Sequence, residues 1–589
     1  MLNKVTSQGV SMNPRSNLPA PPTAGDWLEY LQDASERSLL LWDTLRQRAD
    51  TLLAHEQAGS PPLLDFDYEI LMDGAGLDTP VNYSLLRILP GENQPIDETL
   101  APVILIDPRG GHGPGIAGFQ QDSQIGESLR AGHPTYFIAF GYSPAPGQTL
   151  TDAAMAQIRF IELVTARHPK AGKPVIIANC QAGWALMGLA CARPELPGLI
   201  ILNGSPLTYR VGKGRSSMSY TSGLLGGNWI TQLGSDLGNG RFDGAWMVNN
   251  YENHNPSEAF WTKPYRLFAN IDSETTRFLD AERWWGSPSL FNAREIDAIF
   301  DGLFIGNRLI GTEGSGADLL DLRAIEAPIV VFCSDGDTIT PPRQALGWIG
   351  DLYPDDRALQ TAGRTIVYLK HGSIDHLGIF VSGKVARREH RQLIRSIDDI
   401  KALPPGRFEL IIEDIRAGDA VERRVRFEAR SIADILAVDT QDGRDEEREF
   451  IAADRVSELT SHLYGSMVRP WLSRAISEPM AETLRQTHPF RLRRRVWASH
   501  NPFLWWLPAA AEQTRRTRHP ARPDNPLLAW QELTSRNIAN ALDSWGEIRS
   551  AGDKLAFHAF YDYLSMFNDT RSTPATKSSP TAKGHDETR

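Results

Sequence analysis

Cys180, Asp337 and His376 have the types, order and settings that nucleophilic acyl transfer needs. A thiol nucleophile requires a base to take its proton and a carboxylate to orient that base. Cys180 lies in Lys173-Pro174-Val175-Ile176-Ile177-Ala178-Asn179-Cys180-Gln181-Ala182-Gly183-Trp184. This reads as a short buried strand, one sharp turn with the thiol at its apex, and an apolar helix from about Ala182. Such a corner lifts the thiol above the carboxyl end of a sheet and aims a helix N-terminus at it, which favours thiolate and developing oxyanion alike. Small residues are needed on both flanks; Ala178 and Ala182 stand there, with Gly183 one position further on. In this arrangement the partners follow the nucleophile, acid before histidine. Ser334-Asp335-Gly336-Asp337-Thr338-Ile339-Thr340-Pro341 follows an apolar run and offers Asp337 as the acid, with Asp335 in reserve. His371-Gly372-Ser373-Ile374-Asp375-His376-Leu377-Gly378 follows the next run, and His376, deeper in the loop, is preferred to His371. The oxyanion hole would use the backbone N–H of Gln181 and a second N–H near Arg109 or Gly110.

The elements that must hold these residues are legible as buried strands. Residues 102–106, 135–140, 175–178, 199–202, 328–332 and 365–369 are continuous apolar runs, the pattern of parallel strands covered on both faces. Helical patterns alternate with them between about residues 100 and 203. Thr149-Leu150-Thr151-Asp152 opens one of these helices, which carries Ala154, Ile158 and Ile161 on one face. A doubly wound, mostly parallel sheet is expected. The rhythm breaks over residues 207–320, which are rich in Gly, Asn, Trp and Phe and read as a helical lid insertion. The expected partition is a loose N-terminus (1–24), a helical segment (25–64), the sheet core in two parts (65–206 and 321–400) around that lid, a small β element (401–449), a helical C-terminal extension (450–568) and a disordered tail (569–589). Within 25–64, Trp27, Leu31, Ala34, Leu41 and Leu45 share one side at helical spacing and predict an amphipathic helix.

A chain of 589 residues exceeds one ordinary domain. Its formal charge of -11 argues against nucleic-acid binding. Three cysteines, Cys180, Cys191 and Cys333, form neither a disulfide framework nor a metal-ligand spacing, so a reducing compartment and no metal or other cofactor are expected. Lys4 and Arg15 frame no apolar core, and no apolar run approaches the ~20 residues of a spanning helix. A soluble, cytoplasmic protein is the expectation.

Several segments carry a resemblance. Gly132-His133-Pro134-Thr135-Tyr136, Thr149-Leu150-Thr151-Asp152, the cysteine corner, Phe242-Asp243-Gly244-Ala245-Trp246-Met247-Val248-Asn249-Asn250-Tyr251, Trp284-Trp285, Ile305-Gly306-Asn307-Arg308-Leu309 and Leu320-Asp321-Leu322-Arg323 are similar to segments of polyhydroxyalkanoate synthases. Over roughly residues 65–385 the chain resembles the synthase-like branch of the α/β-hydrolases, and more closely a bacterial family of such relatives without an assigned function. The resemblance implies an α/β-hydrolase fold, with Cys180 acylated, His376 as general base and Asp337 as its partner. It also implies a (R)-3-hydroxyacyl-CoA or polyester substrate. The chain departs from the synthase pattern in its elbow alanines, in Thr338 where synthases commonly carry histidine, and in about two hundred residues beyond the histidine.

Two other functions stay open: a thioesterase, esterase or polyester depolymerase, and a non-catalytic protein of a granule or membrane surface. Arg491-Leu492-Arg493-Arg494-Arg495 and Arg515-Arg516-Thr517-Arg518 flank Phe503-Leu504-Trp505-Trp506-Leu507. This patch fits either attachment to an anionic lipid or polyester granule surface, or an arginine-faced helix packed on its own domain by the Trp pair. Leu527, Leu528, Trp530 and Leu533 could support a homodimer. Cys191 and Cys333 read as core thiols, His112 as part of a flexible glycine loop, and Trp246, Trp261, Trp284 and Trp285 as lid core. Gly141-Tyr142-Ser143-Pro144-Ala145 superficially resembles a serine corner, but Pro144 and Pro146 cannot open the helix it requires.

Overall fold

The computed structural model describes residues 21–209, 217–307, 321–417, 420–437 and 444–569. The N-terminal residues 1–20, the lid residues 308–320 and the tail from 570 lie outside them, with what the sequence predicts there. The strands are, in chain order, β1 (Tyr68–Asp73), β2 (Tyr83–Ile88), β3 (Val103–Ile106), β4 (Thr135–Phe140), β5 (Val175–Asn179), β6 (Leu199–Asn203), β7 (Arg241–Asp243), β8 (Leu290–Asn292), β9 (Ile329–Ser334), β10 (Thr365–His371), β11 (Gly406–Ala417) and β12 (Ala420–Ala429).

Ten of these strands form one sheet in the order β1-β2-β4-β3-β5-β6-β9-β10-β11-β12. From β4 to β11 every neighbouring pair is parallel, and antiparallel pairs occur only at the two edges. Each central strand is buried on both faces because helices cover both. Ile104, Ile176, Ile200 and Val331 face one core, and Val103, Ile177, Ile201 and Val330 face the other. Crossover helices Gln124–Arg130, Leu150–Arg167 and Ala182–Ala192 connect the strands up to β6. Thr149 and Asp152 close the second of these with a capping box. The chain has the α/β-hydrolase fold, with the lid inserted between β6 and β9.

Residues 406–429 do not stand apart from this core. β11 pairs parallel with β10, so the hairpin extends the main sheet. Arg423 and Arg426 on its outer strand pair with Asp414 and Glu413, the kind of charged edge that discourages further strand addition. The lid also holds a strand pair the sequence did not announce: β7 and β8 are three residues each, too short for a periodic signal.

The helix Ala24–Gln57 exists but buries a different side from the predicted one. Trp27 and Leu31 are 47% and 55% exposed, whereas Asp33, Arg37 and Asp43 are buried. The reason is ionic. Arg518 reaches Asp33 at 2.7 Å and Glu36 at 2.9 Å, and Arg515 reaches Asp43 at 2.5 Å, so the first helix is held by arginines of the C-terminal extension. Such charges tolerate burial only when paired in this way.

The same inversion occurs in the extension. Arg491 and Arg494 are buried, while Phe503 and Trp505 are 83% and 80% exposed. Arg491 forks onto Asp243 at the end of β7, with Nη2 at 2.9 Å, and Arg494 donates to the Gly286 carbonyl. The arginine-bearing face of helix Pro489–Trp497 therefore clamps the lid, and the aromatic segment beyond it faces solvent. Among the lid tryptophans, Trp284 and Trp285 are buried, but Trp246 is 53% exposed. No helix among the described residues is long and apolar enough to cross a membrane.

Candidate active site

β5 ends at Asn179, and the chain turns at Cys180 with φ +47°, a left-handed conformation that costs a non-glycine residue on the order of 1 kcal/mol or more. Helix Ala182–Ala192 begins two residues later. Amides buried below the corner hold it. Asn179 exchanges hydrogen bonds with Gln124 at 2.9 and 3.0 Å, Asn203 donates to Asn179 at 2.9 Å, and the Cys180 N–H donates to the Asn203 carbonyl at 2.9 Å.

The glycine this corner depends on is Gly183. A Cβ there would lie 2.2 Å from the Ser205 hydroxyl and 2.3 Å from its Cβ, whereas Ala182 is simply buried. Gly183→Ala is therefore expected to destabilise the fold by about 1–3 kcal/mol, as overpacking does, and to slow Cys180 alkylation. Adding Ser205→Gly should restore both, as read by thermal melts and iodoacetamide labelling. A Gly183→Ala protein that melts and labels like the parent would contradict this.

His376 opens the short helix His376–Val381 after β10, capped by Asp375, whose carboxylate accepts from the Gly378 N–H at 3.0 Å. Its Nε2 stands 3.2 Å from Cys180 Sγ and its Nδ1 2.7 Å from Asp337 Oδ2. The other Asp337 oxygen accepts from the Ile339 and Thr340 N–H groups at 2.9 and 2.7 Å, which fixes the carboxylate. Burial alone would lower the His376 pKa, but the Asp337 carboxylate and the Cys180 sulfur outweigh it and hold the imidazole well above its ordinary value. The reserve residues point elsewhere. Asp335 pairs with Lys370 at 3.2 Å, and His371 Nδ1 accepts N–H groups of its own loop.

Of the oxyanion candidates, Gly110 already donates its N–H to the Pro108 carbonyl at 3.0 Å. The N–H groups of Gln181 and Arg109 have no partner among the described residues. The Arg109 side chain turns into the lid, reaching Glu295 and the Leu290 carbonyl at 2.7 Å each and lying 4.4 Å over the Phe291 ring. Asp107 orders the rest of this loop through the Gly115 and Ile116 N–H groups at 2.7 and 3.3 Å.

His112 is buried in that loop, with its ring 4.5 Å from Trp284 and its Nδ1 2.7 Å from the Gly113 carbonyl. Burial drives His112, and likewise His390, down to about 4. Unfolded, each imidazole takes up its proton near 6.5. Between these values the unfolded chain holds more protons, so stability is intact above about 6.5 and falls as pH drops toward 4, by on the order of 3 kcal/mol per histidine. Melting temperatures from pH 7 to 4.5 should fall accordingly, and His390→Gln should flatten the fall. A flat profile in the parent would contradict this.

Above Cys180 lies a mostly apolar cavity of about 140 Å³, bounded by Gln181, Tyr209, Met247, Tyr251, Phe304 and Ile339 among others. Burial and the neighbouring Cys180 sulfur push the Tyr251 phenol up. Tyr251 ends the Trp246–Tyr251 segment that the sequence singled out, but nothing there indicated that it faces the thiol. Among the described residues no group of three or more His, Cys, Asp or Glu is placed to hold a metal.

A sequence profile described as "Protein of unknown function (DUF3141)" matches residues 33–589. The chain belongs to the DUF3141 family. A relative from Rhizobium meliloti, described as "Uncharacterized protein in ackA 5'region", is 46% identical over 562 residues, which span 93% of this DUF3141 chain and 76% of the relative. Two solved structures match part of the chain at low identity. Paleococcus ferrophilus monoacylglycerol lipase is 12% identical with a TM-score of 0.30, the match spanning 55% of this chain and 100% of that one. The thioesterase domain from the curacin biosynthetic pathway is 13% identical with a TM-score of 0.32, the match spanning 56% and 99%.

Proposed function

We propose that this DUF3141 protein is a cysteine-dependent acyltransferase, similar to polyhydroxyalkanoate synthases, acting on a (hydroxy)acyl-CoA thioester or a polyester. The observation that carries the reading is the thiol at a left-handed corner, 3.2 Å from an imidazole that is itself 2.7 Å from a fixed carboxylate, under an apolar cavity. In this reading His376 takes the Sγ proton and the thiolate attacks the acyl carbonyl. The Gln181 and Arg109 N–H groups receive the oxyanion. The CoA thiolate leaves with the proton returned by His376, and an acyl-Cys180 thioester remains. His376 then takes a proton from the incoming acceptor, whose oxygen attacks the thioester carbonyl. The Cys180–acyl bond breaks and the leaving sulfur takes that proton back from His376. A hydroxyl acceptor gives transfer or chain growth, and water gives the free acid, which is the thioesterase or depolymerase alternative. Incubation with 3-hydroxybutyryl-CoA separates these. CoA release with ester-linked product supports the transferase, and CoA release with free hydroxybutyrate supports the hydrolase. No CoA release and no adduct on any thioester tried overturns both.

A second reading, attachment to a lipid or polyester granule surface, is favoured by the exposed Phe503 and Trp505 and the half-exposed Arg493 and Arg515 nearby in sequence. Phe503→Ser/Trp505→Ser should abolish co-sedimentation with anionic vesicles or granules, and unchanged co-sedimentation removes this reading.

A further inference from the structure

Part of the cavity lining beside the thiol is not built by the hydrolase core. It comes from the lid helix Ser217–Leu224, through Met218, Ser219 and Ser222, and from the C-terminal helix Arg444–Met467, through Phe450 and Ala453. The extension also fixes where the lid helix sits. Tyr220 of that helix packs 5.5 Å from Phe450 and 5.4 Å from Phe557, and those two rings stack at 4.5 Å. Thr221 donates to Asp553 at 2.8 Å, and a Cβ at Gly223 would lie 2.4 Å from the Phe557 ring. Helices from the last quarter of the chain therefore line part of this space and hold the lid helix beside it.

We infer that the C-terminal extension is the end wall of the acyl pocket, and that Phe450 and Ala453 set the length of the acyl chain Cys180 accepts, with straight chains of about four to six carbons fitting best. This rests on the reading of Cys180 as the acyl acceptor. The size follows from the volume. An apolar cavity of roughly 150 Å³ accommodates benzene, six carbons, and the cavity here is about 140 Å³. The wall residues make it adjustable in both directions. Ala453 is small, 3% exposed and part of the cavity lining, so a larger side chain there takes up cavity space. Phe450 is large, and trimming it lengthens the pocket.

Two series on the full chain test this. In the first, alkyl methanethiosulfonates from methyl to dodecyl react with Cys180: the thiolate forms a mixed disulfide, the probe's S–S bond breaks and methanesulfinate leaves. In the second, acyl-CoA thioesters of the same lengths are supplied and the acyl adduct is read by mass. In the parent, both rates are expected to peak near butyl to hexyl and fall at least tenfold by decyl. Ala453→Leu should shift the peak about two carbons shorter, and Phe450→Leu, a milder change in the same wall, should extend it. Rates that climb steadily to dodecyl, or length profiles identical in the parent and both folded variants, overturn the inference. A thiosulfonate series that peaks and shifts, with no adduct from any thioester, upholds the pocket while refuting the acyl-transfer reading.

Discussion

Cys180→Ala is expected to abolish acyl transfer from 3-hydroxybutyryl-CoA, lowering the rate by about 10⁴-fold or more, while the protein melts as the parent does. Alanine keeps the Cβ at the strained corner and the N–H that donates to Asn203, so the variant removes the sulfur and little else. The other two thiols offer no substitute. Burial pushes Cys191 up to about 12 and raises Cys333 further, which leaves both protonated and poorly reactive at neutral pH. Iodoacetamide labelling should therefore vanish together with transfer. Transfer persisting within tenfold of the parent would mean that some other group carries the acyl chain.

His376→Ala is expected to cost about 10³-fold, within the range that a positioned general base contributes. Cys180 Sγ then has no proton acceptor at 3.2 Å, and Asp337 is left without its imidazole partner. Asp337→Asn gives the companion result. Its carboxylate is the main influence that holds His376 well above its ordinary pKa against the pull of burial. A raised base keeps its proton until pH climbs through the folded value. Removing the charge should therefore move the alkaline limb of Cys180 reactivity to lower pH. A limb that stays in place in Asp337→Asn would dissociate the carboxylate from the histidine.

The sequence made the centre of the sheet legible because parallel strands covered on both faces must be apolar without interruption. The loops that follow β5, β9 and β10 could then be located from sequence, and Cys180, Asp337 and His376 lie in them. What it hid has a common physical cause. Apolar periodicity reports burial only when apolar side chains are what is buried. The first helix buries Asp33 and Asp43 against Arg518 and Arg515, and the helix Pro489–Trp497 buries Arg491 against Asp243. Each partner lies hundreds of residues away, so neither segment carries a local signal of its inward face. Gly183 illustrates the same limit at short range. Its need for a hydrogen in place of a side chain comes from Ser205 across the corner, not from its position relative to Cys180. Phe450 and Ala453 line the cavity from a helix far along the chain, packed through Phe557 beside a lid helix that Asp553 also holds, so their own segment carries no local sign of it.

The most direct test is to quench the protein seconds after mixing with 3-hydroxybutyryl-CoA, digest it in acid and find the modified residue by tandem mass spectrometry. The account predicts one hydroxybutyryl group in thioester linkage on Cys180, lost on hydroxylamine treatment and absent from Cys180→Ala. Turnover with the acyl group on any other residue, or with Cys180 unmodified throughout, would contradict it.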